Sequence, residues 1–175
     1  MPKKNAVLEN LLRIQRDLAA LQRMKIHVGI QGDENSEVIM IANVHEYGCT
    51  IKVTPKMRVF LHSIGLHLKA TTEHINIPER SFIRASYETG GQDIDAIVKK
   101  AFVRVIKGEL TPKQAAEAIG AQCAQLTQQY IDDNKVEPPV GEFTQERKSQ
   151  FTTLYESGTH IRDRITFKVE GGGNV

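Results

Sequence analysis

The residues of this chain best suited to metal or acid–base chemistry are its six histidines, His27, His45, His62, His67, His74 and His160. His45-Glu46 begins like the helical motif of zinc proteases, but no second histidine follows four residues on. His62 and His67 are five apart, which puts them on opposite faces of a strand and out of line on a helix. A metal-dependent hydrolase would have to assemble His27, His45 and Glu46 from separate parts of the chain. The plainer expectation is that His45 packs or hydrogen-bonds at a helix end and that the histidines of residues 48–80 are surface polar groups. No metal and no cofactor are expected.

Nucleophiles are equally sparse. Cys49 and Cys123 are the two cysteines; Cys123 falls on an apolar helical stripe and reads as core. Neither is set in a nucleophile elbow, and no glycine-rich loop between a strand and a helix is present to cradle phosphate. The chain is therefore not read as an enzyme, and no catalytic residue is assigned. Lys52, Lys56, Arg58, Lys69 and Arg80 could each meet a phosphate, so an alternative is a DNA-contacting, channel-lining module. With no tryptophan and 6% aromatic residues, the chain has little on which to stack bases.

Composition sets the frame for these residues. The chain has 175 residues, 23 basic against 21 acidic, with 40% apolar residues. Its mean hydropathy is −0.34, low enough that part of the chain should lie outside a monomer's core. The balanced charge leaves no bulk electrostatic footprint for nucleic acid. No apolar run approaches a membrane span, and the basic, then amphipathic start does not read as a secretory signal.

Periodicity supplies the elements. Val7, Leu8, Leu11, Leu12, Leu18 and Leu21 place a helix over residues 5–23. Met24, Ile26, Val28 and Ile30 alternate with polar residues or glycine, a half-buried strand. A short helix over 38–46 follows and stops at Gly48. Residues 48–80 hold five basic and two acidic residues, three histidines and two β-leaning pieces, 50–54 and 74–77. A stretch of this length is read as a projecting β arm or hairpin, 49–77. Helices are expected over 81–89, 94–106 and from Pro112 to about 133, the last two as an antiparallel hairpin. Thr111, Pro112 and Gln114 make a capping box, and Ala115, Ile119, Cys123, Leu126 and Tyr130 are the expected buried stripe. Residues 140–150 read as a surface loop, 154–158 as a helical turn, and 165–169 as a last strand that closes the sheet. The fold class is α+β: a small mixed or antiparallel sheet against helices, one unit over 1–170 with the arm projecting, and a flexible tail over 171–175.

Three stretches in this order resemble a known family. They are Lys25–Ile30 with Ile41–Gly48, Ile77–Arg84 (IPERSFIR), and Leu154–Val169 (LYESGTHIRDRITFKV). The chain resembles the tail-component family of long-tailed bacteriophages and prophages, the tail completion, neck or head–tail joining proteins. In that family a glycine-ended strand precedes a helix reading A-x-x-x-E-[FY]-G, then an IP-x-RPFLR segment, then a late strand like TGxLRxSIxYxV. Ser81 stands where the family has proline, and Ser157 where it has threonine. The resemblance implies a virion protein at the head–tail interface, a six-fold ring around the DNA channel. Its partners would be copies of itself and the neighbouring head-connector and tail-tube proteins, close to genomic DNA and away from membranes. Lys52, Lys56, Arg58, Phe60 and Leu66 of the arm are then the candidate contact residues. Arg80 and Arg84, four apart and expected on one helical face, would pair with acidic groups of a neighbour.

Overall fold

The computed structural model describes residues 2–32, 36–146, 154 and 161–171. The elements run α1 (Pro2–Gln22), β1 (Lys25–Ile30), α2 (Ser36–Tyr47), β2 (Cys49–Lys52), α3 (Pro55–Ser63), β3 (His74–Ile77), α4 (Ile83–Thr89), α5 (Gly91–Ile106), α6 (Pro112–Asp132) and α7 (Glu142–Gln145). A 3-10 turn (Ile161–Arg164) leads into β4 (Ile165–Glu170). The architecture is α+β. The described strands form two antiparallel pairs: β1 with β4, in register from Lys25↔Glu170 to Ile30↔Ile165, and β2 with β3. Most of the expected elements are present. The surface stretch 140–150 carries the short helix α7, and the expected turn over 154–158 lies outside the described residues except for Leu154.

α6 is the axis of the fold. Its first half packs with α1 and α5 around Leu21, Ala101, Val105, Ala116 and Ile119. Its second half joins Ala42, Phe82, Ile131, Val136, Leu154 and Ile165 in the other core cluster. Between the two, α6 lies so close to the β1–β4 pair that a Cβ on Gly120 would sit 2.5 Å from the Phe167 ring. The buried residues of α6 are Ala115, Ala116, Ile119, Gly120, Ala124, Thr127 and Ile131. Of the expected stripe Ala115 and Ile119 are buried, whereas Cys123, Leu126 and Tyr130 are only half-buried, which corrects that part of it. A sheet can approach a helix closely only over small residues, so the small-residue face turned inward and the larger one was left at the margin.

The helix ends follow local rules. Thr111 Oγ1 accepts from Gln114 N and the Gln114 side chain accepts from Thr111 N, completing the capping box. At the end of α5, Gly108 has φ +78°, its N–H donates to Val105 O and Glu109 N donates to Arg104 O. Asn134 (φ +52°) closes α6 in the same way. The expected tail boundary shifts slightly, because Gly171 (φ +89°) lies against the backbone of Arg23, where a Cβ would meet Arg23 O at 2.8 Å. Among the described residues no helix is long and apolar enough to cross a membrane.

Candidate assembly surfaces

The junction from which the arm leaves is built by one carboxylate. Glu46 lies in the last turn of α2 and is buried. Its Oε1 accepts from Ser81 Oγ (2.6 Å) and Arg84 N (3.0 Å); its Oε2 accepts from Phe82 N (2.9 Å) and Ile83 N (3.0 Å). These amides stand at the start of α4 and have no intrahelical partner of their own, so the carboxylate caps that helix from another part of the chain. Burial pushes the Glu46 pKa up, but the Ser81 hydroxyl and the amides of Ile83, Arg84 and Phe82 outweigh it and hold the group below its ordinary value. The two motifs Ile41–Gly48 and Ile77–Arg84 therefore meet in space.

Gly48 makes the crossing possible. Its φ is +69°, and a Cβ there would lie 2.8 Å from both Glu79 N and Ile77 O. Arg80 N, arriving from the far side of the arm, donates to His45 O at 2.7 Å and satisfies one of the last carbonyls of α2. Gly48→Ala adds left-handed strain and a clash with backbone that cannot step aside, and should cost about 2–4 kcal/mol in a urea melt.

Beyond this junction the arm is real but is not the plain β hairpin expected. β2 and β3 pair, Val53 N donates to Glu73 O (2.8 Å), and a full helix, α3, occupies the space between. Thr54 Oγ1 accepts from Met57 N and Pro55 opens the first turn, the same Thr-Pro start that marks α6. Gly65 (φ +87°) then turns the chain back. His67 thereby returns to His62, Nδ1 to Nδ1 at 2.7 Å, although the two are five residues apart. None of residues 47–80, all of them described, is buried. Val59 and Phe60 on α3 are 72% and 61% exposed.

The expected contact residues divide. Lys52, Lys56 and Phe60 are exposed, and Leu66 is half-buried, its N–H closing α3 on Leu61 O. Arg58 serves as an internal strut: it donates to Leu68 O, Lys69 O and Thr72 O and holds the return path of the arm against α3. Arg80 and Arg84 do not share a helical face, because α4 begins only at Ile83. Arg80 donates to Pro138 O and Pro139 O, while Arg84 pairs with Glu79 and reaches Glu88. Of the five cations considered for DNA, Arg58 and Arg80 are thus bonded to carbonyls, which weakens a phosphate-tracking surface. The hydrolase set is not assembled either: Glu46 faces the start of α4 and His27 Nε2 lies 3.4 Å from Glu170. Among the described residues no three His, Cys, Asp or Glu side chains gather as a metal set. Burial pushes the Cys123 thiol up, which keeps it protonated and a poor nucleophile.

The chain matches no protein-family model, no curated protein and no solved structure.

A second bare surface lies on α1. Residues 7, 11, 14, 18 and 21 form one stripe on this helix. At its far end Leu21 is buried in the core, and Arg13 anchors α1 by donating to Val105 O and Ile106 O at the end of α5. At the near end Val7 and Leu11 are open to solvent, as are Leu8 and Leu12 beside them. The helix continues past the body it packs on. The sequence reading considered Glu46 as a hydrolase residue and missed its capping role, although a signal was present. A carboxylate in the last turn of a helix sits at the unfavourable end of the dipole and needs a partner elsewhere.

Proposed function

We propose that this chain is a structural virion protein of a tailed bacteriophage, a tail completion, neck or head–tail joining subunit. It assembles as a six-fold ring around the channel through which DNA leaves the head, held by copies of itself and by head-connector and tail-tube neighbours. Its work is adhesive and mechanical. The observation that carries this reading is the arm. Residues 47–80 form two strands and a helix without burying a single residue, while α3 exposes Val59 and Phe60. An ordered segment with no core of its own gains stability by covering apolar surface on something else. The resemblance supports the same reading, since its first two motifs are the residues that the Glu46 carboxylate joins at the root of the arm.

The test replaces residues 53–73 with an Asn-Gly turn, which keeps β2 and β3 paired in their register from Lys52↔His74. The shortened protein should fold and melt as the full chain does, form no rings by electron microscopy, and fail to restore infectious particles to a phage lacking the gene. Rings and normal titres from the shortened protein would refute the proposal.

A further inference from the structure

The geometry points to a metal site on the arm, where His62 Nδ1 and His67 Nδ1 together bind one divalent transition-metal ion of the Cu(II) or Ni(II) class. This site stands independently of the ring reading above. The two nitrogens are 2.7 Å apart and both residues are exposed. Ligands at right angles on a metal, each about 2.0–2.1 Å from it, lie about 2.9 Å from one another, whereas tetrahedral ligands lie about 3.3 Å apart. The pair is thus within about 0.2 Å of the right-angled spacing, and tetragonal nitrogen ligation is the preference of Cu(II) and Ni(II). The ring orientation agrees. Two imidazoles joined by an N–H aligned on the line between their nitrogens would have centroids about 5 Å apart. The centroids of His62 and His67 are 4.4 Å apart, with the ring planes at 61°. The lone pairs are therefore tilted off that line, as those of two ligands sharing one ion must be.

The backbone sets this geometry before any ion arrives. His62 lies in the last turn of α3. Ile64 N donates to Phe60 O, Gly65 N to His62 O and Leu66 N to Leu61 O, and Gly65 at φ +87° turns the chain back. Just past His67, Arg58 grips Leu68 O, Lys69 O and Thr72 O. Ligands already placed lose little chain freedom on binding, which favours the complex. The ion takes the place of the proton between the two nitrogens. Lys69, exposed and two residues past His67, opposes a cation, so the affinity comes from the paired imidazoles rather than from the charge around them. Two protein ligands leave the remaining positions to water, unlike a closed structural site.

The test is a calorimetric titration of the full chain with Ni(II), under a phosphine reductant that keeps Cys49 and Cys123 as thiols. One ion should bind per chain. His62→Ala and His67→Ala should each weaken binding about a hundredfold, because a single imidazole forfeits the chelate. His27→Ala and His74→Ala should leave it unchanged. The two arm variants replace exposed side chains, so without metal they should melt as the parent does, while Ni(II) should raise the melting temperature of the parent and of neither variant. Electron paramagnetic resonance of the parent with one equivalent of Cu(II) should show two coupled nitrogens. No binding, binding retained by either arm variant, or binding abolished by His27→Ala or His74→Ala overturns the site. A single coupled nitrogen in the parent overturns it as well, however the variants fold.

Discussion

Glu46→Ala should lower stability by about 3–5 kcal/mol, because it leaves three amides and a hydroxyl without their acceptor in a buried site. For a chain of this length that is a fall in melting temperature of about 10 °C. The four donors come from Ser81, Phe82, Ile83 and Arg84, so the loss unpins the start of α4 and with it the side of the core to which Phe82 belongs. Glu46→Gln keeps the shape but turns an NH2 group toward N–H donors, and should cost somewhat less. The two substitutions also separate charge from packing through pH. The folded pKa of Glu46 lies below its ordinary value of 4.5, so the unfolded chain takes up the proton more readily. The contribution of Glu46 is complete above about 4.5 and is lost as pH falls through the folded value. Urea melts of the parent below pH 4.5 should show that loss. Glu46→Gln should be less stable at neutral pH and should lack this component of the acid sensitivity.

Phe82→Ala should cost a comparable amount, about 3–5 kcal/mol, for a different reason. Phe82 is fully buried and belongs to the core cluster with Ala42, Ala124, Ile131 and Val136. Small neighbours such as the two alanines cannot expand into the space a phenyl ring leaves, so most of the cavity remains. The Phe82 amide still donates to Glu46 in this variant, so the acid component assigned to Glu46 should persist although overall stability falls. Glu46 and Phe82 lie at one junction, and the double substitution should cost less than the sum of the two. Chemical denaturation of all three variants measures that coupling directly.

Much of this molecule was legible from local chemistry. Alternation over residues 25–30, the Thr111-Pro112-Gln114 start of α6 and the Gly48 stop each depend on one or two turns of chain, and each is where the pattern placed it. The fold class followed from their order. The same chemistry was present and passed over at Thr54-Pro55, inside the stretch read as a β arm or hairpin, where a capped helix formed.

What the tertiary structure decided concerns partners distant in sequence. Arg58 and Arg80 are cations by type, but backbone carbonyls of the returning arm claim the first and those of Pro138 and Pro139 the second, only once the chain folds. Which stripe of α6 turned inward depended on how close the sheet could come, a distance no single segment contains. Glu46 is the clearest case. Its type and place on α2 were plain in the sequence, but the four donors that define its role lie 35 to 38 residues away. Spacing along a chain encodes local hydrogen bonding and the face a side chain shares; which distant donor reaches a carboxylate is set by the packing of the whole chain.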